Sequence, residues 1–103
     1  MEIELTQINR AVKASEADIE AELLRRVAEA GGICEKVTVL GRRGYFDRLI
    51  VLPGNRVIFC EVKKPRGSRV SPHQRQRHAR YRALGAVVVI CKTLADIDAL
   101  LAR

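Results

Sequence analysis

The stretch YFDRLIVLPGNRVIFCEVKK, residues 45–64, decides the fold of this chain. Two runs rich in β-branched and aromatic residues, 45–52 and 56–62, flank the turn-forming sequence Pro-Gly-Asn at 53–55. Apolar runs joined by such a turn are typical of an antiparallel β-hairpin. We therefore predict two paired strands in the middle of the chain, with a charged Glu-Val-Lys-Lys sequence where the second strand ends.

The predicted pairing places two carboxylates opposite one another. Counted outward from Gly54, Asp47 lies seven residues back and Glu61 lies seven residues forward. Directly opposed side chains have Cβ atoms about 4.5–5.5 Å apart, so the two charges repel unless a cation lies between them. Mg²⁺ and Mn²⁺ prefer such oxygen ligands, and the backbone carbonyl of Val62 is placed to add another. Lys63 shares the face of Glu61 because side chains alternate along a strand.

The sequence leaves two interpretations of these residues open. In the first, Asp47 and Glu61 hold a divalent cation, and Lys63 stabilises the charge that develops on a phosphate. In the second, Glu61 and Lys63 form an ion pair on a solvated sheet face, and Asp47 is an ordinary solvent-exposed residue.

The segments around the hairpin alternate between helical and strand patterns. Apolar side chains recur at helical spacing in residues 16–30, after Ser15 as an N-cap candidate, and residues 33–40 are rich in β-branched residues. A second helix is predicted from Pro72 to about Leu84, since proline is favoured in the first helical position.

The carboxyl-terminal part completes an α/β fold. The continuous apolar run 86–92 predicts a strand buried on both faces, and Thr93 is a cap for a last helix that runs through Leu101. The predicted order is α-β-β-β-α-β-α, with one mixed sheet flanked by helices in a single domain, residues 15–103. Residues 1–14 have mixed periodicity and are expected to form an arm, a short helix or an added strand.

Composition indicates the class of partner. With 103 residues, 48% of them hydrophobic, the chain is long enough for one core but not for two. Its 19 Lys and Arg against 12 Asp and Glu give a net charge of +7, which favours a polyanion, with nucleic acid ahead of acidic lipid. No apolar run approaches the roughly 20 residues of a membrane helix, so we expect a soluble, cytoplasmic protein.

The cysteines argue against two kinds of structural site. The sequence contains three of them, Cys34, Cys60 and Cys91, and no two have Cys-x-x-Cys spacing. This pattern is not that of a zinc cage or a disulfide framework. We expect small buried hydrophobic residues in a reducing compartment.

The string GRRGYFDRLIVLPGNRVIFCEVKKPRGSRVSPHQ, residues 41–74, resembles the VRR-NUC branch of the PD-(D/E)XK nuclease superfamily. It contains G-x-x-D, a hairpin, E-x-K and a basic loop that ends in S-x-x-Q, and the resemblance extends over about residues 15–101. The resemblance implies a restriction-endonuclease-like core in which Asp47 and Glu61 bind the metal and Lys63 supports catalysis. It also implies that Gln74 contacts the active site or the substrate.

The resemblance extends to the first helix and includes one departure. The glutamate of the family's first helix matches Glu16, which would reach the metal directly or through a water. Glu20 lies one turn further on the same face and is the alternative. Family members usually have proline before the aspartate, whereas this chain has Phe46, so the local backbone geometry is in question more than the metal site.

Cationic residues surround the predicted site. Arg75, His78 and Arg82 follow an i, i+3, i+7 pattern, so they are expected to form one row along a phosphate backbone, with a solvated helix face as the alternative. The residues predicted to bind DNA are Arg42, Arg43, Lys64, Arg66, Arg69, Arg75 and Arg82.

These patterns predict a Mg²⁺- or Mn²⁺-dependent DNA endonuclease. The resemblance implies a homodimer that acts on branched DNA such as Holliday junctions or flaps, and a phage or prophage origin. The main alternative is a non-catalytic, basic nucleic-acid-binding module in which Glu61 and Lys63 form only a surface ion pair.

Overall fold

A computed structural model describes residues 15–38 and 46–103. Its elements are α1 (Glu16–Glu29), β1 (Ile33–Lys36), β2 (Arg48–Leu52), β3 (Arg56–Val62), α2 (Pro72–Ala83), β4 (Val87–Cys91) and α3 (Leu94–Leu101). This order confirms the predicted α-β-β-β-α-β-α arrangement. The predicted arm at residues 1–14 and the loop at 41–44 lie outside the described residues.

The four strands form one mixed sheet in the order β1-β2-β3-β4. Strand β2 pairs antiparallel with both β1 and β3, and β3 pairs parallel with β4. The hairpin register is the predicted one, with Arg48 opposite Cys60 and Leu52 opposite Arg56. Gly54 and Asn55 in the turn have φ values of 83° and 62°, a left-handed conformation that these two residue types tolerate.

The hydrophobic core lies between one face of the sheet and helices α1 and α3. Helix α1 contributes Ile19, Leu23 and Val27, which are fully buried at a spacing of four residues, as one face of a helix requires. The sheet contributes alternate residues of β3, including Ile58 and Val62. Helix α2 covers part of the opposite face, so the sheet is the middle of three layers.

Each helix begins at a residue that caps it. The Ser15 hydroxyl accepts a bond from the Asp18 N–H at 3.1 Å, and the Ser15 N–H donates to the Asp18 carboxylate at 2.8 Å. The same reciprocal arrangement begins α2 at Ser71 and α3 at Thr93. These bonds satisfy N–H groups that the first turn of a helix leaves without partners.

Two expectations from composition can be compared with the structure. Cys60 and Cys91 are buried free thiols, as expected of small core residues, and Cys34 is partly buried. Within residues 15–38 and 46–103, no helix is both long and apolar enough to cross a membrane.

Candidate active site

Asp47 and Glu61 lie close to each other at the open end of the hairpin. The Asp47 N–H donates to the Cys60 carbonyl at 3.2 Å, and the Asp47 carbonyl accepts from the Val37 N–H at 3.0 Å. The paired register of β2 and β3 ends at Arg48 and Cys60, and Asp47 and Glu61 are the next residues beyond this last pair. Backbone bonds on both sides therefore fix the position from which the Asp47 carboxylate projects.

The Asp47 carboxylate is also held from β3. Its two oxygens accept the Val62 N–H at 3.1 and 3.3 Å. Burial raises the pKa of Asp47 above its ordinary value, the Val62 bond opposes this rise, and the carboxylates of Glu16 and Glu20 add to it. The structure thus assigns a role to the N–H of Val62, while metal ligation by the Val62 carbonyl stays a prediction.

Glu61 is a buried acid with an unsatisfied oxygen. Its Oε1 is buried and has no hydrogen-bond partner among the described residues, and its Oε2 lies 3.7 Å from the Lys63 Nζ. Burial and the nearby charge of Asp47 raise the pKa of Glu61 to about 7, against the lowering effect of Lys63. Since a buried polar atom without a partner is destabilising, this carboxylate has the properties expected of an incomplete binding site.

The ion-pair interpretation does not describe this environment. The side chains of Glu61 and Lys63 are only 7% and 16% exposed, so they do not lie on a solvated sheet face. The Lys63 N–H donates to the Cys91 carbonyl at 2.9 Å, which extends the parallel pairing beyond β3. Lys63 is therefore held beside Glu61 by the sheet itself.

The two glutamates of α1 differ in their surroundings. The Glu20 Oε2 accepts from the Arg48 Nε at 3.1 Å and lies 3.0 Å from the Arg48 Nη2. Glu16 is exposed. Burial is the main cause of the raised pKa of Asp47 and of Glu61, and the charge of Glu16 raises both pKa values further. This difference favours Glu16 as the third carboxylate of the site.

The described residues contain two candidate carboxylate ligands and no preformed cluster of three. Within the part of the chain that the structure describes, no group of three or more His, Cys, Asp and Glu side chains is arranged to hold a metal ion. A Mg²⁺ or Mn²⁺ ion commonly takes one or two protein carboxylates and fills its other positions with water or substrate phosphate. Asp47 and Glu61 match that smaller ligand set.

Gln74 lies in the first turn of α2 and bonds reciprocally with the capping residue, Ser71. The Ser71 hydroxyl accepts from the Gln74 N–H at 3.0 Å, and the Gln74 Oε1 accepts from the Ser71 N–H at 3.1 Å. Burial is the largest effect on the pKa of Glu61 and raises it. The Gln74 side chain lowers the same pKa, as an amide donor beside a carboxylate does. The S-x-x-Q sequence is thus a capping box that holds Gln74 next to Glu61.

The predicted row of cations on α2 is wrong at its centre. His78 is 1% exposed and stacks on the Phe46 ring at a centroid distance of 4.9 Å, and burial lowers its pKa. Arg75 and Arg82 are exposed, but the Arg82 Nη2 donates to the Val88 carbonyl at 3.1 Å. Helical spacing showed that the three side chains lie near one another, but not which side of the helix packs on the sheet.

The other predicted DNA contacts lie near the end of β3 or outside the description. Lys64, Arg66 and Arg69 are exposed in the segment between β3 and α2, whereas Arg42 and Arg43 lie outside the described residues.

The sequence interpretation missed a cavity of about 230 Å³ beside α2. Among the described residues it is lined by His73, Gln76, Arg77 and Arg80. Their i, i+3, i+4, i+7 spacing was the signal that would have found this surface.

Comparisons with known proteins agree with this arrangement. No family model matches the sequence. The chain is 44% identical over 75 residues to "Putative nuclease p44" of Acyrthosiphon pisum secondary endosymbiont phage 1, an alignment that covers 73% of this chain and 80% of that protein. A solved structure described as "VRR_NUC domain" matches with a TM-score of 0.78 and 32% identity, over 85% of this chain and 95% of that one. The chain therefore belongs to the VRR-NUC family of nucleases.

Proposed function

We propose that this chain is a divalent-metal-dependent DNA endonuclease that hydrolyses phosphodiester bonds and selects branched DNA. The observation that carries the proposal is the pair of neighbouring carboxylates, Asp47 and Glu61, beside Lys63, with the buried Glu61 Oε1 lacking a partner among the described residues. Two close carboxylates and one ammonium are the groups that metal-assisted phosphate hydrolysis requires. The nuclease-named relative and the VRR_NUC structure support the same chemistry.

The donor set fits Mg²⁺ or Mn²⁺. Asp47 and Glu61 would supply hard oxygen ligands, with the Val62 carbonyl as a further oxygen and Glu16 acting directly or through a water. Burial is the main cause of the raised pKa of Asp47 and of Glu61, and the charges of nearby carboxylates add to it, so a bound cation would lower both pKa values. When bound, a divalent cation supplies an activated water and polarises the scissile phosphate.

The residues of the chain have separate roles in this proposal. The Val62 N–H keeps the Asp47 carboxylate turned toward β3. Lys63 places positive charge where negative charge grows on the phosphate oxygens in the transition state, a role that its low exposure strengthens. Gln74 limits the orientations of Glu61 from the side of α2.

The nucleic acid would be bound mainly through its phosphates. The chain has a net charge of +7 and few aromatic residues. Its exposed cations include Lys64, Arg66 and Arg69. Phosphate contacts fix position but carry no sequence information, so selectivity would come from the shape of the DNA. The segment with these cations follows Glu61 directly, so a bound strand would pass the carboxylates.

We further propose a homodimer, which would present two active sites to two strands of a branched substrate. Large apolar side chains are exposed on the α2 side of the sheet, at the end opposite Glu61. Ile33 is 55% exposed and Val57 is 46% exposed, and the strand register places both in one row through Val51. Leu84, which follows α2, is 74% exposed, and a second copy of the chain would remove such a row from water.

The proposed location is the cytoplasm of a bacterium or a phage-infected host, where the reaction would find both its DNA substrate and its metal. The nuclease-named phage relative supports that location. The competing function, a basic module that binds nucleic acid without cutting it, predicts binding in Mn²⁺ with no products.

A cleavage assay separates the two functions. Linear duplex, flap and four-way-junction DNA are incubated in Mg²⁺ or Mn²⁺ with the wild type, Asp47→Ala and Glu61→Gln, and binding is measured separately. Glu35→Gln, on the exposed part of β1, is the matched control for loss of a carboxylate. The proposal expects cutting of the branched substrates by the wild type and by the control alone. Cleavage that survives both active-site changes contradicts the nuclease mechanism, and binding without cleavage by the wild type supports the module.

A further inference from the structure

Four rings form a cluster between α2 and the hairpin, in which Phe46 and His78 are buried and Phe59 and Tyr81 are partly buried. The Phe46 ring lies 5.1 Å from Phe59, 4.9 Å from His78 and 4.8 Å from Tyr81, measured between centroids. Phe59 and Tyr81 are also in contact at 5.4 Å. Phe46 is thus the central ring of the cluster, and its neighbour in sequence is Asp47.

The cluster occupies a place that a regular strand would not give to Phe46. If β2 continued in register, residue 46 would lie opposite Val62, which faces the core under α1 and α3. Instead the chain bends at Asp47, and Phe46 packs with Phe59 on the side of α2. The same bend accompanies the bonds from the Val62 N–H to the Asp47 carboxylate.

His78 is the ring that stacks on Phe46. The two rings are nearly parallel, with an interplanar angle of 16°, whereas Tyr81 meets Phe46 edge-on at 80°. His78 is 1% exposed, and its Nε2 is buried without a hydrogen-bond partner among the described residues. A leucine could fill this buried site, but it has no flat ring to stack on Phe46.

We propose that His78 is a positioning residue for Asp47, acting through its stack on Phe46. The inference rests on the proposed metal-dependent function. The imidazole holds the Phe46 ring, the ring holds the bend, and the bend sets the Asp47 carboxylate at the distance from Glu61 that a shared cation needs. Groups that orient a metal ligand typically change metal affinity about 10–100-fold when they are removed.

The test measures Mn²⁺ affinity without DNA, from the increase in melting temperature across a Mn²⁺ titration. His78→Leu removes the flat ring, and His78→Phe keeps the ring while removing the nitrogens. Tyr81→Leu is the matched control, because Tyr81 belongs to the same cluster but meets Phe46 at an angle of 80° and does not stack on it. We expect about a tenfold or greater rise in the Mn²⁺ Kd for His78→Leu, with recovery in His78→Phe and little change in Tyr81→Leu.

A second variant keeps the inference testable if His78→Leu does not fold. Phe46→Leu breaks the same stack from the other side and should show the same loss of affinity. Combining it with His78→Leu should add little, since both changes remove one interaction. An unchanged Kd in these variants, or an equal rise in Tyr81→Leu, overturns the positioning role.

The outcome also separates this inference from the function on which it rests. If Mn²⁺ stabilises the wild type and Asp47→Ala abolishes that effect, the metal site stands, and the His78 variants decide the positioning role. If Mn²⁺ has no effect on the wild type, the proposed function fails, and the positioning role fails with it.

Discussion

At the scale of single residues, the proposed chemistry depends on Glu61. This carboxyl group is buried, one of its oxygens has no partner among the described residues, and the charge of Asp47 lies nearby. Burial and that neighbouring charge raise the pKa of Glu61 to about 7. Lys63 at 3.7 Å offsets only part of this effect. A bound cation would therefore stabilise the ionised form of the Glu61 carboxyl group.

Metal affinity should depend on pH through this group. A divalent cation binds the ionised carboxylate, so below the raised pKa of about 7 it must displace a proton from Glu61. The Mn²⁺ affinity of the wild type should rise with pH between 4.5 and about 7, and then level off. Isothermal titration calorimetry across this range measures the curve, and a constant affinity through it would contradict the assignment.

The same group should lower stability in the absence of metal. In the folded state its pKa is about 7, whereas its ordinary pKa is 4.5. The contribution of the protonated group to the free energy of unfolding is therefore fully present below pH 4.5 and is lost as the pH rises through about 7. This loss is about 3 kcal/mol at most. Glu61→Gln should remove most of the fall, because it cannot ionise. Urea unfolding with EDTA on both sides of this range tests it, and an equally steep fall in the variant would count against the buried carboxylate.

At the scale of elements, α2 contacts the candidate site and the Phe46 ring beside it. Its first turn places Gln74 beside Glu61, and its next turn places His78 on Phe46. The side chains around the 230 Å³ cavity lie on another flank of the same helix. A change in how α2 begins should therefore reach the candidate site.

Ser71→Ala tests that connection. It removes the hydroxyl that accepts the Gln74 N–H and should cost about 1 kcal/mol of stability. We also expect slower cleavage, since Gln74 is no longer fixed beside Glu61. Thr93→Ala is the matched control, because Thr93 caps α3 by the same bond from the Asp96 N–H at 3.1 Å. Similar losses of stability with slower cleavage only in Ser71→Ala support the role of α2, and equal cleavage rates in the two variants contradict it.

At the scale of the whole molecule, sequence patterns predicted what depends on local chemistry. Turn residues predicted the hairpin register, which the pairs from Arg48–Cys60 to Leu52–Arg56 confirm. The N-caps and the element order followed from capping residues and periodicity. The burial of His78 was not predictable in this way, because the pattern does not show which flank of α2 meets the sheet. The contact between Phe46 and His78 joins residues far apart in sequence, and no short motif encodes it.

The net charge of the molecule should appear in the salt dependence of binding. Replacing Lys64, Arg66 and Arg69 together by alanine removes three exposed cations near the end of β3. On duplex DNA, the slope of log K against log salt should become shallower by roughly 0.9 for each phosphate that these cations no longer neutralise. Fluorescence anisotropy in Ca²⁺ measures this slope, with Lys36→Ala on the edge strand β1 as the control. An unchanged slope in the triple variant would place the DNA elsewhere on the surface.

The most direct test of the central claim is a calorimetric Mn²⁺ titration of the DNA-free protein. If Asp47 and Glu61 share one cation, the wild type and Glu35→Gln bind Mn²⁺, whereas Asp47→Ala and Glu61→Gln each lose that binding while remaining folded. Mn²⁺ binding of unchanged affinity in either active-site variant would contradict the account.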